Sequence, residues 1–324
     1  MLLLGVAVLG TVMASGRLDT TLTVKSGARL EVRNFAGSVS VSTWDKNAVR
    51  VQAEFESRTR IKLEPLSGSL KVASEGQRGT PGTVDFRLTA PSWMALDVEG
   101  PFTDVEIEGA KGDIKVETVR GDVTVSGGNG YTELSTVQGD LSLEGAKGRI
   151  KLSSVNQDVT ATRISGQVTA ESVNGDIILD NVQVDALEAS SVSGSLWFNG
   201  SLKSDGRYEL QSHSGDIEVV AADHPDAAVS VSTFSGDFSS DFDVTFNGTR
   251  GHRELQFTLG EGGPQLSMES FSGNIRLLKA SAVEALRARI RSRSIEKEKT
   301  PGTAKTPPPP KAPKAPKKKS NEGE

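Results

Sequence analysis

Apolar residues two positions apart, followed by a short polar turn, recur every nine residues through the middle of the chain. Glycine marks the period, at positions 112, 121, 130, 139, 148, 166 and 175, and Gln157 fills the one gap. Each nine-residue segment contains a pair of apolar residues two positions apart, such as Ile150 and Leu152. Alternation with a period of two is typical of β-strands, and runs of Gly, Asn, Ser and Asp are typical of turns. The pattern predicts short strands joined by tight corners.

Two kinds of nine-residue segment alternate, so the true repeat is 18 residues long. The first kind ends in Thr-Val or Ser-Val, as at Thr118-Val119, and the second kind does not. The repeats run over 94–111, 112–129, 130–147, 148–165 and 166–183, with an insertion near 184–186. Two strands per coil, stacked on similar coils, predict an all-β parallel β-solenoid or β-roll with 18-residue rungs. The predicted interior includes Val173 and Ile177.

The two ends of the repeat region are less regular and contain most of the aromatic residues. Of 16 aromatic residues, only Phe102 and Tyr131 fall within 94–183. Related corner words persist in both flanks, AGSVSV at 36–41 and SGNIRL at 272–277. We therefore predict one β domain over 17–278, most regular over 94–202, with wider antiparallel or mixed sheets at its ends. Such ends would cap the open strand edges, which otherwise favour aggregation.

The corner words also carry a resemblance to a known family. SGDIEV at 214–219, SGDFSS at 235–240 and VNGDI at 173–177 resemble the S-x-S-G-D-I words of the bacterial "putative adhesin" family, a domain of unknown function. The resemblance covers roughly residues 30–278. It implies a β-solenoid-like fold and a location in the cell envelope, and it implies no established catalytic residues.

The N-terminus is typical of an export signal. Leu2 to Ala14 is an uncharged run, too short for a membrane span of ~20 residues. Val12 and Ala14 are the small residues expected before a signal-peptidase site. We assign 1–16 to a signal peptide and expect the protein in the periplasm, at the cell surface or outside the cell. The absence of Cys excludes disulfides, thiolate catalysis and Cys-ligated zinc.

Charge divides the chain into an acidic body and a basic end. Residues 1–278 contain 24 Lys and Arg against 37 Asp and Glu, whereas 279–324 contain 13 against 5. We expect a short basic helix or linker over 279–298. A disordered, extended tail is predicted over 299–324, which holds 7 of the 13 Pro and no aromatic residue. The tail is expected to contact anionic envelope polymer or lipid, or to act as a linker only, and nucleic acid is not an expected partner.

The 18-residue register predicts a ladder of carboxylates at the start of each second-type strand. Its members are Asp104, Asp122, Asp140, Asp158 and Asp176. One interpretation is that each Asp accepts a backbone N–H at its own corner, as in an Asx turn. The other is that the ladder binds divalent cations, because carboxylates ~5 Å apart repel one another unless they are bridged. The calcium-binding β-roll repeat does not match, since the G-G-x-G turn is absent apart from one approach at 127–130.

Other candidate chemistry is weak. Thr118, Thr136, Ser154 and Ser172 form a second predicted column, which we interpret as a hydrogen-bonded hydroxyl ladder at a corner. His213, His224 and His252 have no metal-ligand spacing, and no P-loop, Rossmann or G-x-S-x-G word stands in a fitting context. Too many surface carboxylates are present to nominate a glycosidase pair. We therefore expect no enzyme and no cofactor.

The leading hypothesis is a non-enzymatic envelope or surface protein, an adhesin-like solenoid for binding or scaffolding. Its expected partners are a cell-wall polymer, a surface glycan or another protein. One alternative is a self-assembling scaffold like the bactofilins, which pair a β-solenoid with Pro/Lys-rich tails but have no signal peptide. Another is an envelope-stress sensing module, which rests on analogy at the level of the fold.

Overall fold

A computed structural model describes residues 16–56, 58–77, 79–244 and 254–283. The signal-peptide prediction, except Gly16, and the predictions for the chain beyond residue 283 lie outside the described residues. The described elements are β1 (Gly16–Thr23), β2 (Arg29–Arg33), β3 (Ala36–Trp44), β4 (Ala48–Phe55), β5 (Thr59–Pro65), β6 (Ser69–Gly76), β7 (Val84–Pro91), β8 (Ala95–Ala110), β9 (Ile114–Arg120), β10 (Val123–Gly127), β11 (Asn129–Thr136), β12 (Leu141–Glu144), β13 (Lys147–Ser154), β14 (Val159–Thr162), β15 (Ser165–Ser172), β16 (Ile177–Ser191), β17 (Leu196–Gly200), β18 (Arg207–Ser212), β19 (Ile217–Ala221), β20 (Ala227–Thr233), β21 (Phe238–Ser240), β22 (Glu254–Leu259), β23 (Gln265–Ser270), β24 (Ile275–Lys279) and a 3₁₀ turn (Ala280–Ala282).

The strands form one hydrogen-bonded sheet that is wound into two rows. The first row runs β5, β6, β2, the start of β8, β9, β11, β13, β15, the end of β16, β18, β23, β20 and β22. The second row runs β1, β4, β7, β3, the end of β8, β10, β12, β14, the start of β16, β17, β19, β24 and β21. Each coil gives one strand to each row, so the predicted parallel β-solenoid is confirmed.

In the central coils, residues 18 apart are paired. Leu134 pairs with Leu152 in the first row, and Leu141 pairs with Val159 in the second. Alternate residues of each strand are buried, as in β12, where Leu141 and Leu143 are buried and Ser142 and Glu144 are not. A single coil could not bury its apolar face, but stacked coils share a continuous core of Val, Leu, Ile and Ala.

The predicted insertion near 184–186 is a β-bulge. Gly166 pairs with Val184, but the next residue, Gln167, pairs with Ala186. Asp185 is therefore the extra residue, and its carboxylate lies 2.6 Å from Lys203 Nζ at the surface. The coil register resumes after the bulge, because a bulge displaces one residue without breaking the ladder.

At the N-terminal end, the order of stacking differs from the order along the chain. The coil of β2 and β3 packs directly on β8, and the coil of β6 and β7 lies outside it. Antiparallel pairing follows: β5 pairs with β6, β4 with β7 and β1 with β4. The predicted mixed sheet is present, but the chain crosses over to build it.

The C-terminal end shows the same kind of crossover. The coil of β23 and β24 is inserted between the coil of β18 and β19 and that of β20 and β21. β22 then pairs antiparallel with β20. An antiparallel strand beside the last parallel coil gives its backbone N–H and C=O groups partners from the same chain.

The prediction that Val173 lies inside is wrong. Val173 is exposed, whereas Ile177 is buried as predicted. The reason is the tightness of the corner. Ser172 and Gly175 occupy the inward positions there, which leaves the side chain between them pointing to solvent.

The buried Tyr208 should make the stability of the solenoid depend on pH in the alkaline range. It is fully buried, accepts the Lys203 N–H (2.8 Å) and donates to Val184 O (2.8 Å). Burial raises the pKa of its hydroxyl. Because its pKa is higher in the native state than in the unfolded state, neutral Tyr208 contributes to the free energy of unfolding. That contribution is complete below the unfolded-state pKa of ~10 and is lost as the pH rises through the native-state pKa.

We expect Tyr208→Phe to destabilise the protein at pH 7 by about 1 kcal/mol, through the lost hydrogen bonds. The difference from wild type should shrink above pH ~10, because the variant has no phenol to ionise. Urea unfolding between pH 7 and 11 measures this. A difference for Tyr208→Phe that stays constant with pH contradicts the prediction.

A candidate binding surface at one corner of the solenoid

Eight coils pass from the first row to the second through similar four-residue corners. The usual order is a Ser or Thr, an apolar residue at the surface, a polar residue and a glycine, as in Ser191-Val192-Ser193-Gly194. Backbone bonds cross this corner in register: Gln138 N donates to Val119 O (2.8 Å), Ser214 N to Val192 O (2.9 Å) and Ser235 N to Phe271 O (3.0 Å). Residues at equivalent corner positions therefore form straight columns along the solenoid.

The first column is the predicted hydroxyl ladder, and in the structure it is an internal hydrogen-bonded feature, apart from Thr118, whose buried Oγ1 has no hydrogen-bond partner. Its buried members are Thr118, Thr136, Ser154, Ser172, Ser191, Ser212 and Ser270. Ser212 shows the pattern: its hydroxyl accepts the Gly215 N–H (2.8 Å) and donates to Gly194 O one coil earlier (3.0 Å). One hydroxyl thus closes its own corner and ties it to the preceding coil.

The glycine column allows the coils to approach closely. A Cβ at Gly194 would overlap the carbonyl oxygen of Gly175, and a Cβ at Gly215 would overlap that of Gly194. The restriction comes from the neighbouring coil's backbone. Gln157, which takes the glycine position in its coil, is flanked by longer inter-coil bonds: Asp158 N lies 3.3 Å from Asp140 Oδ1 and Asn156 N lies 3.2 Å from Val137 O.

The aspartate ladder connects successive coils through the backbone. Each Oδ1 accepts the N–H of the equivalent residue one coil further on: Asp122 N to Asp104 (3.0 Å), Asp140 N to Asp122 (2.8 Å), Asp158 N to Asp140 (3.3 Å), Asp176 N to Asp158 (2.9 Å) and Ser195 N to Asp176 (2.9 Å). The predicted acceptor role holds, but the donor belongs to the next coil, so these bonds are not Asx turns. Equivalent residues in stacked coils lie only ~4.8 Å apart, which brings that N–H within reach.

Ser195 interrupts the ladder, which resumes at Asp216 with an asparagine in place of the next aspartate. Asp216 Oδ1 accepts from Asn274 N (2.8 Å), and Asn274 Oδ1 accepts from Asp237 N (3.1 Å). A side-chain carbonyl therefore serves as well as a carboxylate. Across the described ranges, no group of three or more His, Cys, Asp or Glu is placed to hold a metal ion.

Cation binding along the ladder stays a prediction, and Asp140→Asn tests it. We expect Asp140→Asn to keep the wild-type Tm, because an amide oxygen accepts the same N–H, and Asp140→Ala to cost about 1 kcal/mol or more. Calcium should leave the wild-type Tm unchanged, since backbone bonds already hold the ladder together. A calcium-dependent rise in Tm that Asp140→Asn reduces would establish the cation ladder instead.

The second column is an apolar ridge on the outside of the corner. We call it the corner ridge: Val119, Val137, Val155, Val173, Val192, His213, Phe271 and Phe234. Six of its members are 37% to 52% exposed, His213 is exposed and Val155 is half-buried. Eight large apolar side chains are exposed in the described part of the chain, and six of them belong to this ridge. Single exposed apolar residues are common, but a continuous column of them indicates a contact surface.

Aromatic rings form one end of the corner ridge. Phe234 stacks on Phe271 with centroids 4.7 Å apart, and His213 stacks on the other face of Phe271 at 4.8 Å. The crossover of the C-terminal coils creates this stack, because these residues are 21 to 58 positions apart in the chain. Near the other end of the corner ridge, Phe102 lies edge-on to Phe35 (5.5 Å between ring centroids) and under the Arg120 guanidinium (5.7 Å).

A polar row runs beside the ridge, formed by the next residue of each corner. We call it the amide–hydroxyl row: Arg120, Gln138, Asn156, Asn174, Ser193, Ser214, Ser272 and Ser235. Its side chains bond along the column: Arg120 Nε donates to Gln138 Oε1 (3.0 Å), Asn174 Nδ2 to Asn156 Oδ1 (2.9 Å) and Asn156 Nδ2 to Val137 O (3.1 Å). Apart from Arg120, the row therefore presents neutral hydrogen-bonding groups, and the bonds along the column orient its amides.

The two described histidines, His213 and His224, belong to different features. His213 belongs to the ring stack, and His224 lines a shallow cleft of about 290 Å³ with Pro225 and Pro264. His252 lies outside the described residues.

In the described ranges no helix has the length and apolar character needed to cross a membrane.

The corner ridge was not predicted from the sequence, because its Val residues recur with the same period as the core residues.

Comparison with solved structures gives distant similarity. A "putative adhesin" from Bacteroides fragilis is 14% identical with a TM-score of 0.41, and the match covers 81% of this chain and 97% of that one. A "putative adhesin" from Parabacteroides distasonis is 11% identical with a TM-score of 0.40, over 82% and 98%. A "putative lipid binding protein" from Parabacteroides distasonis is 11% identical with a TM-score of 0.35, over 82% and 96%.

Comparison with curated proteins gives no match. The profile of the Toastrack DUF4097 family, a domain of unknown function, matches residues 11–278, which cover all the described strands except the last residue of β24. The resemblance inferred from the corner words is thereby confirmed at the level of the family. The chain belongs to the Toastrack DUF4097 family.

Proposed function

We propose that this protein is a non-enzymatic bacterial envelope or surface protein whose solenoid presents the corner ridge to a binding partner. The corner ridge is the observation that carries the proposal. It places apolar side chains at the surface of seven of its eight coils, although the inward positions of the same corners, apart from Gln157, are occupied by small hydroxyl or glycine residues. Exposing apolar side chains on a protein has a cost in solubility, which contact with a partner relieves.

The internal bonding of the corners supports a binding role over a catalytic one. Their hydroxyls bond to corner backbone groups, and the aspartate oxygens accept N–H groups of neighbouring coils. A catalytic nucleophile or base must instead reach a substrate. In this proposal residues 1–16 direct export, 17–278 form the binding domain, 279–298 form a short basic helix or linker, and the basic tail 299–324 contacts anionic envelope polymer or lipid.

Self-assembly through the ridge is the second candidate, since a continuous apolar column could pair with a copy of itself. Eight coils at ~4.8 Å spacing make a ridge ~34 Å long. A stable dimer buries about 800 Å² per partner, so the contact would need to be about 24 Å wide. A ridge one side chain wide falls far short of that, which favours a narrow partner.

Co-sedimentation with cell envelopes from the producing bacterium tests the proposal. We expect wild-type protein to sediment with the envelopes and Val192→Ser/Phe271→Ser to bind at least about tenfold more weakly, because two apolar contacts are lost. Leu66→Ser is the matched control: Leu66 is 59% exposed and lies in the turn between β5 and β6, away from the corner ridge. Thermal melts show whether the variants remain folded.

Two outcomes contradict the proposal. Equal sedimentation of the folded ridge variant and wild type would show that the ridge is not the contact surface. Cell fractionation that places the protein in cytoplasmic filaments would favour the self-assembling scaffold instead.

A further inference from the structure

We infer that the corner ridge and the amide–hydroxyl row together bind a neutral, extended polysaccharide that lies along the solenoid axis. This inference rests on the proposed function and names the class of ligand. Its starting point is the pairing of the two columns. Each corner presents one apolar side chain directly beside one polar side chain, as in Val173 and Asn174, and the pair recurs every ~4.8 Å.

That pairing suits the surface of a sugar chain. A pyranose ring offers apolar C–H groups next to hydroxyls, which both donate and accept hydrogen bonds. The amides of Asn and Gln also donate and accept, and the serine hydroxyls do the same. Asn174 and Asn156 are already oriented by their mutual 2.9 Å bond, so a ligand would not bear the entropic cost of ordering them.

Charge favours a neutral ligand. The sixteen residues of the two columns contain only Arg120 and His213 as titratable groups. They belong to a body with 24 Lys and Arg against 37 Asp and Glu over residues 1–278. The net negative potential of that body would repel an acidic polymer, whereas a neutral chain is indifferent to it.

Shape favours a linear ligand over a globular one. The ridge and the row beside it are ~34 Å long and two side chains wide. A stable contact with a globular protein buries about 800 Å² on each partner, which is more than this strip provides. The ring stack of His213, Phe271 and Phe234 adds larger apolar contacts at one end of the same line. An extended chain can contact every coil in turn, and many weak contacts then sum along its length.

Calorimetric titration of the full chain tests the inference, with chitohexaose and cellohexaose as neutral probes and an oligogalacturonate as the acidic probe. We expect at least one neutral probe to bind in a way that depends on the corner ridge. Any binding of the acidic probe is expected on the basic C-terminal stretch and should not change in the ridge variants. Phe271→Ser and Asn174→Asp should each weaken the neutral probe by about tenfold, and Leu66→Ser should not. Asn174→Asp preserves the size of the side chain but replaces its donor with a charge.

Three results overturn the inference: no neutral probe binds at millimolar concentration, Phe271→Ser and Asn174→Asp weaken the acidic probe more than the neutral one, or both variants bind the neutral probe as wild type does. If envelope sedimentation still depends on the ridge in that case, the proposed function stands and only the class of ligand is wrong. A protein partner captured on the ridge would then be the alternative to pursue.

Discussion

Gly194→Ala is expected to lower the free energy of unfolding by about 3 kcal/mol, near the upper end for overpacking substitutions. The added methyl would overlap the carbonyl oxygen of Gly175 in the preceding coil, and Ser191 Oγ lies 2.8 Å from the same point. That carbonyl belongs to the backbone of a stacked coil, so it cannot rotate away as a flexible side chain would. Relief requires the two coils to separate at their corner, which stretches the bonds that join them.

Urea unfolding of wild type, Gly194→Ala and Gly68→Ala measures this effect. Gly68 lies in the turn before β6, where an added Cβ meets nothing within 4 Å, so its substitution should be nearly neutral. Gln157 shows how a side chain is accommodated, through the 3.2 and 3.3 Å bonds around its corner. Equal stability of the two alanine variants would contradict the close approach of the coils.

Ser212→Val should cost about 2 to 4 kcal/mol, because it leaves a buried N–H and a buried carbonyl without their hydroxyl partner. The two groups are Gly215 N and Gly194 O, at 2.8 and 3.0 Å from Ser212 Oγ. One lost hydroxyl thus affects two coils, unlike a hydroxyl that bonds only within its own turn. The loss should appear as a lower urea midpoint with an unchanged m-value.

Ser212→Thr is the matched control for shape. Threonine has nearly the volume of valine but keeps the hydroxyl, and it occurs naturally in this column at Thr136 and Thr233. Thr233 Oγ1 accepts the Gly236 N–H (3.0 Å) and donates to Gly273 O (3.2 Å), so threonine makes the same two bonds. Equal destabilisation by Val and Thr would assign the effect to crowding and refute the hydroxyl ladder as a source of stability.

The regular middle of the solenoid was predictable because local pattern and stacking coincide there. An 18-residue repeat places Leu134 on Leu152 whatever the rest of the chain does, and the observed register follows it. The insertion was visible as a break in the period and became the bulge at Asp185. The hydroxyl and aspartate ladders followed from the same count.

The crossovers at both ends were not predictable from local pattern. Corner words at 36–41 and 272–277 indicate coils, but they do not specify which coil lies beside which. The positions of β2–β3 and β23–β24 depend on long-range pairing, since a strand edge accepts any neighbour of matching register. The ring stack of His213, Phe271 and Phe234 depends on that choice and was therefore missed.

The corner ridge was missed for a different reason. Val173 and Ile177 look alike in a periodic pattern, and only the corner geometry separates the exposed residue from the buried one. The signal is the preceding Ser or Thr: a small hydroxyl residue takes the inward position, so the next residue must point outward. By this rule, the Ser-Val and Ser-Phe dipeptides predict the corner ridge.

Hydroxyl-radical footprinting of the full chain, free and bound to cell envelopes, tests the central claim most directly. It reports side-chain exposure at Phe271, Phe234 and Leu66 in the same sample, and all three are about half exposed in the free protein. Binding through the corner ridge predicts that oxidation of Phe271 and Phe234 falls on binding while that of Leu66 does not change. Unchanged oxidation of both phenylalanines in envelope-bound protein would contradict the corner ridge as the binding surface.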